Sequence, residues 1–233
     1  MKKLISLLLC LVLILAVIPA QVLAADDGSV IRVTGSGIEG YDGEYDTFAE
    51  FLVATVQNMG ELYNSDSGYT VALLRDAEII VDPNFTLMIY GPMGDEQVTF
   101  DLQGHTLTAR GSGMVIATFG NNTIVENGTL QISSSNLMGI VNNNGVTTVH
   151  NMIIQSDKEV KNATGVVANL SGLNSASGVI ENSSIMLGGG NQDTNSTDME
   201  IRSGQFTRMP SPVADGSKAI PHRKVGAILP EVI

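Results

Sequence analysis

The sequence predicts an all-β fold: a solenoid of short parallel strands stacked in coils, closed at its start by an N-terminal capping α-helix. Three observations carry this prediction. First, TIVENGTLQI (123–132), TTVHNMIIQS (147–156) and GVIENSSIML (178–187) are variants of one pattern, with Asn127, Asn151 and Asn182 at the same place. Second, apolar residues match on both sides of that Asn: Val125, Val149 and Ile180 before it, Leu130, Ile154 and Ile185 after it. Third, Gly113, Gly139 and Gly165 recur 26 residues apart, each leading into an apolar pair. A period in the twenties, built from short segments interrupted by Gly and Asn, suits stacked strands and not helical repeats.

The first element is a leader. Residues 1–24 run from Lys2 and Lys3 through an apolar stretch, Leu4 to Ile18, to Val22-Leu23-Ala24. That order of charged, apolar and small residues predicts a secretory signal cleaved after Ala24, and the apolar run is short for a membrane span. No second such run follows, so no membrane contact is expected after cleavage. The whole chain carries 12 Lys and Arg against 24 Asp and Glu, a formal charge of −12. Loss of Lys2 and Lys3 leaves 10 against 24, or −14, and takes away the one cysteine, Cys10. Stability outside the cell then rests on packing and backbone hydrogen bonds. An acidic chain without basic clusters is unsuited to nucleic acid.

Residues 25–68 are read as an N-terminal strand and the capping helix. An open stack exposes sheet edges at its ends, which need cover. In DTFAEFLVATVQNMGELY (46–63), Thr47 and Glu50 form a capping-box pattern, and Phe48, Phe51, Leu52, Thr55, Met59, Leu62 and Tyr63 trace one helical face. Residues 69–210 are the solenoid proper. In a parallel stack each residue lies about 4.8 Å above its counterpart, so a column of Asn passes amide hydrogen bonds from coil to coil. Asn127, Asn151 and Asn182 are assigned that structural role. Residues 211–233, with scattered apolar residues and several prolines, are read as a partial cap and a loosely ordered tail.

VTFDLQGHTLTARG (98–111) resembles the first-coil signature of right-handed single-stranded parallel β-helices of the pectin-lyase-like type, a D-L-N-G-H-T-I run. More narrowly, the chain is similar to secreted or surface β-helix modules of Gram-positive bacteria. These begin with a helix, continue through a strand like YTVALLRDAEI (69–79), and close near a G-G-T-F segment followed by A-D-G. Here the closing elements read SGQF (203–206) and VADGSKA (213–219). Gln103 replaces the usual Asn, and Ser203 and Gln205 depart from the closing segment. The resemblance covers roughly 45–219 and implies the architecture; the scaffold itself carries many functions.

A β-helix suggests polysaccharide cleavage as the enzymatic reading. The stretch from Gly111 to Asp157 holds no Lys or Arg, and the chain repels polyanions, which argues against uronate lyase chemistry. Of the residues the β-helical polygalacturonases use, only GHT (104–106) and a terminal DD (26–27) occur. One constellation remains. Glu126, His150 and Glu181 each precede a ladder Asn, so stacking sets them in one outward column as candidate catalytic residues. Two carboxylates two coils apart are separated by about 9.6 Å, near the upper end for inverting glycoside hydrolysis. The bland alternative is a solvated column beside a turn.

The remaining features are weaker. His105 belongs to the coil signature and is placed at a corner; His222 falls in the tail. Asp193, Asp198 and Glu200 lie in an acidic stretch whose spacing matches no defined calcium motif. N-x-S/T sequences begin at Asn84, Asn121, Asn127, Asn162, Asn169, Asn182 and Asn195, two of them ladder positions. No cofactor is implied. The leading expectation is a secreted or cell-surface module, adhesin-like or structural, presenting a face to glycans or surface proteins. The alternative is a carbohydrate-active enzyme, a glycoside hydrolase or polysaccharide lyase, using the acidic column. Only 11 Phe and Tyr and no Trp are available as sugar platforms.

Overall fold

The computed structural model describes residues 28–82, 85–168, 176–188, 191–194 and 199–206. The leader (1–24), the tail (211–233), His222, Asp198, Asn84, Asn169 and Asn195 lie outside the described residues. The chain opens with β1 (Ile31–Thr34), β2 (Gly43–Tyr45) and α1 (Phe48–Tyr63), and then enters the stack. The first coil holds β3 (Tyr69–Leu73), β4 (Ala77–Val81) and β5 (Leu87–Tyr90), and the second β6 (Val98–Asp101), β7 (Thr106–Gly111) and β8 (Gly113–Phe119). β9 (Thr123–Ile132) spans two sides of the third coil, and β10 (Leu137–Ser156) continues from its third side into the fourth. β11 (Thr164–Ala168), β12 (Ala176–Glu181), β13 (Ser183–Met186), β14 (Gln192–Thr194), β15 (Met199–Ile201) and β16 (Gly204–Phe206) complete a β-solenoid of about five turns.

Every pairing from β3 onward between named strands is parallel, and the registers sort the strands into three columns. The first runs β3, β6, the start of β9, the middle of β10, β12 and β15; the second runs β4, β7, the end of β9, the end of β10, β13 and β16. The third runs β5, β8, the start of β10, β11 and β14. Within the first two columns the expected apolar matches face inward. Val125, Val149, Ile180, Leu130, Ile154 and Ile185 are all completely buried. Each such burial contributes about 1.5–3 kcal/mol, so the repeated rows supply the core of a chain whose only cysteine, Cys10, lies outside the described residues.

Both members of the glycine series that face each other do so for lack of space. Gly139 lies opposite Gly165, and a Cβ on Gly139 would stand 2.5 Å from the Gly165 carbonyl oxygen. Gly113 breaks the series. It lies opposite Leu137, two residues out of step with Gly139, which stacks on Val115. The 26-residue spacing is real, but the corner before β8 is a residue pattern of its own and shifts the register.

The start of the stack is capped in two ways. β1 pairs antiparallel with both β2 and β3, so the N-terminal strand expected in this region is one arm of a hairpin laid on the first column. α1 lies across β5, with Phe48, Phe51, Leu52, Thr55 and Leu62 buried. Thr47 accepts the Glu50 backbone N–H at 3.2 Å, while the Glu50 carboxylate accepts from Asp46 rather than Thr47, one residue beyond a standard capping box. Met59 is 42% exposed, contrary to its place on the expected apolar face. The helix meets a small coil end rather than a broad sheet, and its buried strip is correspondingly narrow.

Candidate functional site

The turn between the first and second columns positions the candidate site. Asn127, Asn151 and Asn182 occupy this turn with φ of 57°, 50° and 47°, a left-handed conformation that Asn tolerates better than most residues. Their side chains form a continuous ladder. Asn151 Nδ2 donates to Asn127 Oδ1 at 2.9 Å, and Asn182 Nδ2 donates to Asn151 Oδ1 at 3.3 Å. The ladder starts one coil earlier than the sequence indicated: Asn127 Nδ2 donates to Asp101 Oδ1 at 3.3 Å, and the same oxygen accepts the Gln103 backbone N–H. A second ladder, missed in the sequence, crosses the turn into the third column. There Asn162 Nδ2 donates to Asn136 Oδ1 at 3.3 Å, and both residues are left-handed. Its one sequence signal is the shared 26-residue spacing.

Two-residue alternation turns the residue before each ladder Asn outward. His150 lies in register with Glu126 on one side and Glu181 on the other, so the three stand in one column. His150 Nδ1 is 3.1 Å from Glu181 Oε1, an ion pair when the imidazole is protonated. Their side chains are 38% and 32% exposed. The row is longer than three. Asp101 is in register with Glu126 at one end, and Arg202 joins at the other, its guanidinium 3.6 Å from Glu181 Oε2. Arg202 also binds both carboxylate oxygens of Glu200, and hydrogen bonding to Glu200, with the charge of Glu181 behind it, holds its pKa above the ordinary arginine value. Sequence spacing concealed Arg202, because the last coil is shorter than those before it.

The arrangement is a ribbon of partly exposed side chains along the outside of the stack. Glu181 is shared between an imidazole and a guanidinium, while Glu126 has no side-chain hydrogen bond or ion pair among the described residues. A cavity of about 280 Å³ lies at the start of the stack, lined by Phe48, Arg75, Ile79 and their neighbours, and none of its lining residues belongs to the column.

The other sequence candidates separate in space. Asp193 is buried in the third column, whereas Glu200 is exposed in the first and bound to Arg202, so these two do not frame one calcium loop. Among the described residues, no group of three or more His, Cys, Asp or Glu is placed to hold a metal ion. His105 does sit at a corner, with Nδ1 3.4 Å from Asp76 Oδ1. Of the described N-x-S/T asparagines, Asn127, Asn162 and Asn182 spend their amides in ladders, and Asn121 donates to the Met93 carbonyl. Compared with protein families, with curated proteins and with solved structures, the chain matches none.

Proposed function

We propose that the chain is a secreted or cell-surface β-helix module that works by contact, presenting its long lateral face to glycans or surface proteins. One observation supports this most. The polar row Asp101–Glu126–His150–Glu181–Arg202 is a partly exposed ribbon, acidic along most of its length and closed by a guanidinium at one end, and the cavity at the start of the stack includes none of it. A regularly spaced ribbon suits recognition of extended partners, and the stack beneath holds that spacing. The pectin-lyase-like resemblance, its Gram-positive surface relatives and the leader 1–24 belong to the same reading. The D-L-Q-G-H-T segment supports it by forming the corner from which the Asn ladder starts.

A carbohydrate-active enzyme is the second reading, favoured by the register that sets Glu126 and Glu181 about 9.6 Å apart on either side of His150. The discriminating experiment applies the protein without residues 1–24 to a glycan array and to a panel of neutral polysaccharides. Binding without new reducing ends supports the contact reading. Release of reducing ends that Glu126→Gln and Glu181→Gln both abolish would overturn it.

A further inference from the structure

The start of the stack is covered unevenly. The β1–β2 hairpin covers β3 and α1 lies across β5, but β4, between them, pairs with β7 alone among the described residues. The direction of its free groups follows from one hydrogen bond. Ser112 N donates to the Val81 carbonyl at 3.0 Å, so Val81 faces the β7 side, and Ile79 and Ala77 share that side by two-residue alternation. Glu78 and Ile80 therefore turn their N–H and C=O groups to the open edge. An edge with free main-chain groups is a template for strand addition.

The cavity lies against this edge. Val30, Phe48, Ile79 and Phe85 form an apolar floor, all at most 5% exposed, and Ile80, 37% exposed, stands at the rim. Arg75 contributes a second, independent signal. Its Nε is buried with no hydrogen-bond partner among the described residues, a costly state that is relieved when the side chain turns the donor into the cavity toward an acceptor. The carbonyl of an added strand is an acceptor of the required kind. Asp46 and Asp76 line the same cavity, in a chain of net charge −12.

We propose that the open edge of β4 and the adjoining cavity form a docking site for an extended basic peptide segment of a partner protein, added as a strand beneath the first coil. Its backbone pairs with Glu78 and Ile80, one carbonyl accepts from Arg75, alternate apolar side chains enter the floor, and Lys or Arg side chains meet Asp46 and Asp76. A second copy of the chain is a poor occupant, because two β4 edges would bring Asp76 and Glu78 of both copies together and join two strongly acidic bodies. The site is at the end of the stack and does not rest on the lateral-face reading.

The test uses fluorescein-labelled acetyl-Lys-Val-Thr-Val-Lys-amide and its Glu-for-Lys counterpart, with fluorescence anisotropy on the protein without its leader. The lysine peptide should bind saturably and the glutamate peptide at least about tenfold more weakly. Ile80→Pro should weaken the lysine peptide about tenfold while leaving the thermal transition in place, since the lost N–H is outside the β7 ladder. Arg75→Gln tests the orphan donor separately, and serves if Ile80→Pro fails to fold. Absent binding, equal binding of both peptides, or unchanged binding by Ile80→Pro and Arg75→Gln would each overturn the proposal. So would binding that emerges only after removal of residues 207–233, or concentration-dependent self-association that displaces the peptide, because the occupant would then be this chain itself.

Discussion

Asn151 donates its side-chain amide to Asn127 across 2.9 Å and at the same time accepts that of Asn182, while its own backbone holds a φ of 50°. One residue thus links three coils and makes their turn. Asn151→Ala removes both ladder bonds and places a strained left-handed alanine at the corner. The expected loss is about 2–4 kcal/mol, read as a lower urea midpoint with unchanged slope. Asn151→Gly keeps the turn and loses only the ladder, so it should fall between the two. Equal loss by both variants would mean that the ladder, and not the turn, carries the whole effect.

Gly139 and Gly60 should respond to alanine in opposite directions. A Cβ on Gly139 would meet the Gly165 carbonyl at 2.5 Å and Leu130 Cδ2 at 3.0 Å, whereas one on Gly60 meets nothing within 4 Å. Gly139→Ala should cost about 1–3 kcal/mol by overpacking the interior. Gly60→Ala, in the exposed side of α1, should gain about 0.5–1 kcal/mol. Differential scanning calorimetry would show the two transitions moving apart.

In the acidic column, Glu181→Gln breaks contacts to both His150 and Arg202, while Glu126→Gln breaks none among the described residues. The side chains are substantially exposed, so Glu181→Gln should cost under about 1 kcal/mol. That cost should vanish near about 1 M salt, where the screening length is about 3 Å. Glu126→Gln should leave stability unchanged. Chemical denaturation at low and high salt distinguishes the pair, and salt-independent loss would mean that Glu181 acts through packing.

Tyr41 is completely buried, and its hydroxyl is 3.2 Å from that of Thr55. Burial pushes its pKa up to about 12, against the weaker opposing effect of its hydrogen bonds. A folded pKa above the unfolded one means that the linked stabilisation is complete below the unfolded value, about 10, and is lost as pH rises toward the folded one. Alkaline unfolding should therefore set in between about pH 10 and 12. Tyr41→Phe should move that limb to higher pH while costing about 1 kcal/mol at neutral pH for the lost hydroxyl pair. Ultraviolet absorbance at the phenolate band follows both.

The ladder and the inward rows were legible in the chain because they are repetitive. Asn127, Asn151 and Asn182 are each flanked by the same apolar residues, and stacking forces equivalent positions into contact. The outward column followed from the same period, since the residue before an inward turn faces out. What escaped was set by coil length and by the ends. Gly113 carries the same local pattern as Gly139 yet slips by two residues, because register depends on how many residues the preceding corner consumes. Arg202 reaches Glu181 only because the last coil is short, and Met59 is exposed because the stack's end, not the helix, decides which strip is buried. The Arg75 Nε without a partner and the edge of β4 without a paired strand, both among the described residues, are further from sequence still. Periodicity specifies which residues are equivalent, but whether an edge is covered depends on non-periodic elements packing from elsewhere in the chain, and only the tertiary structure decides that.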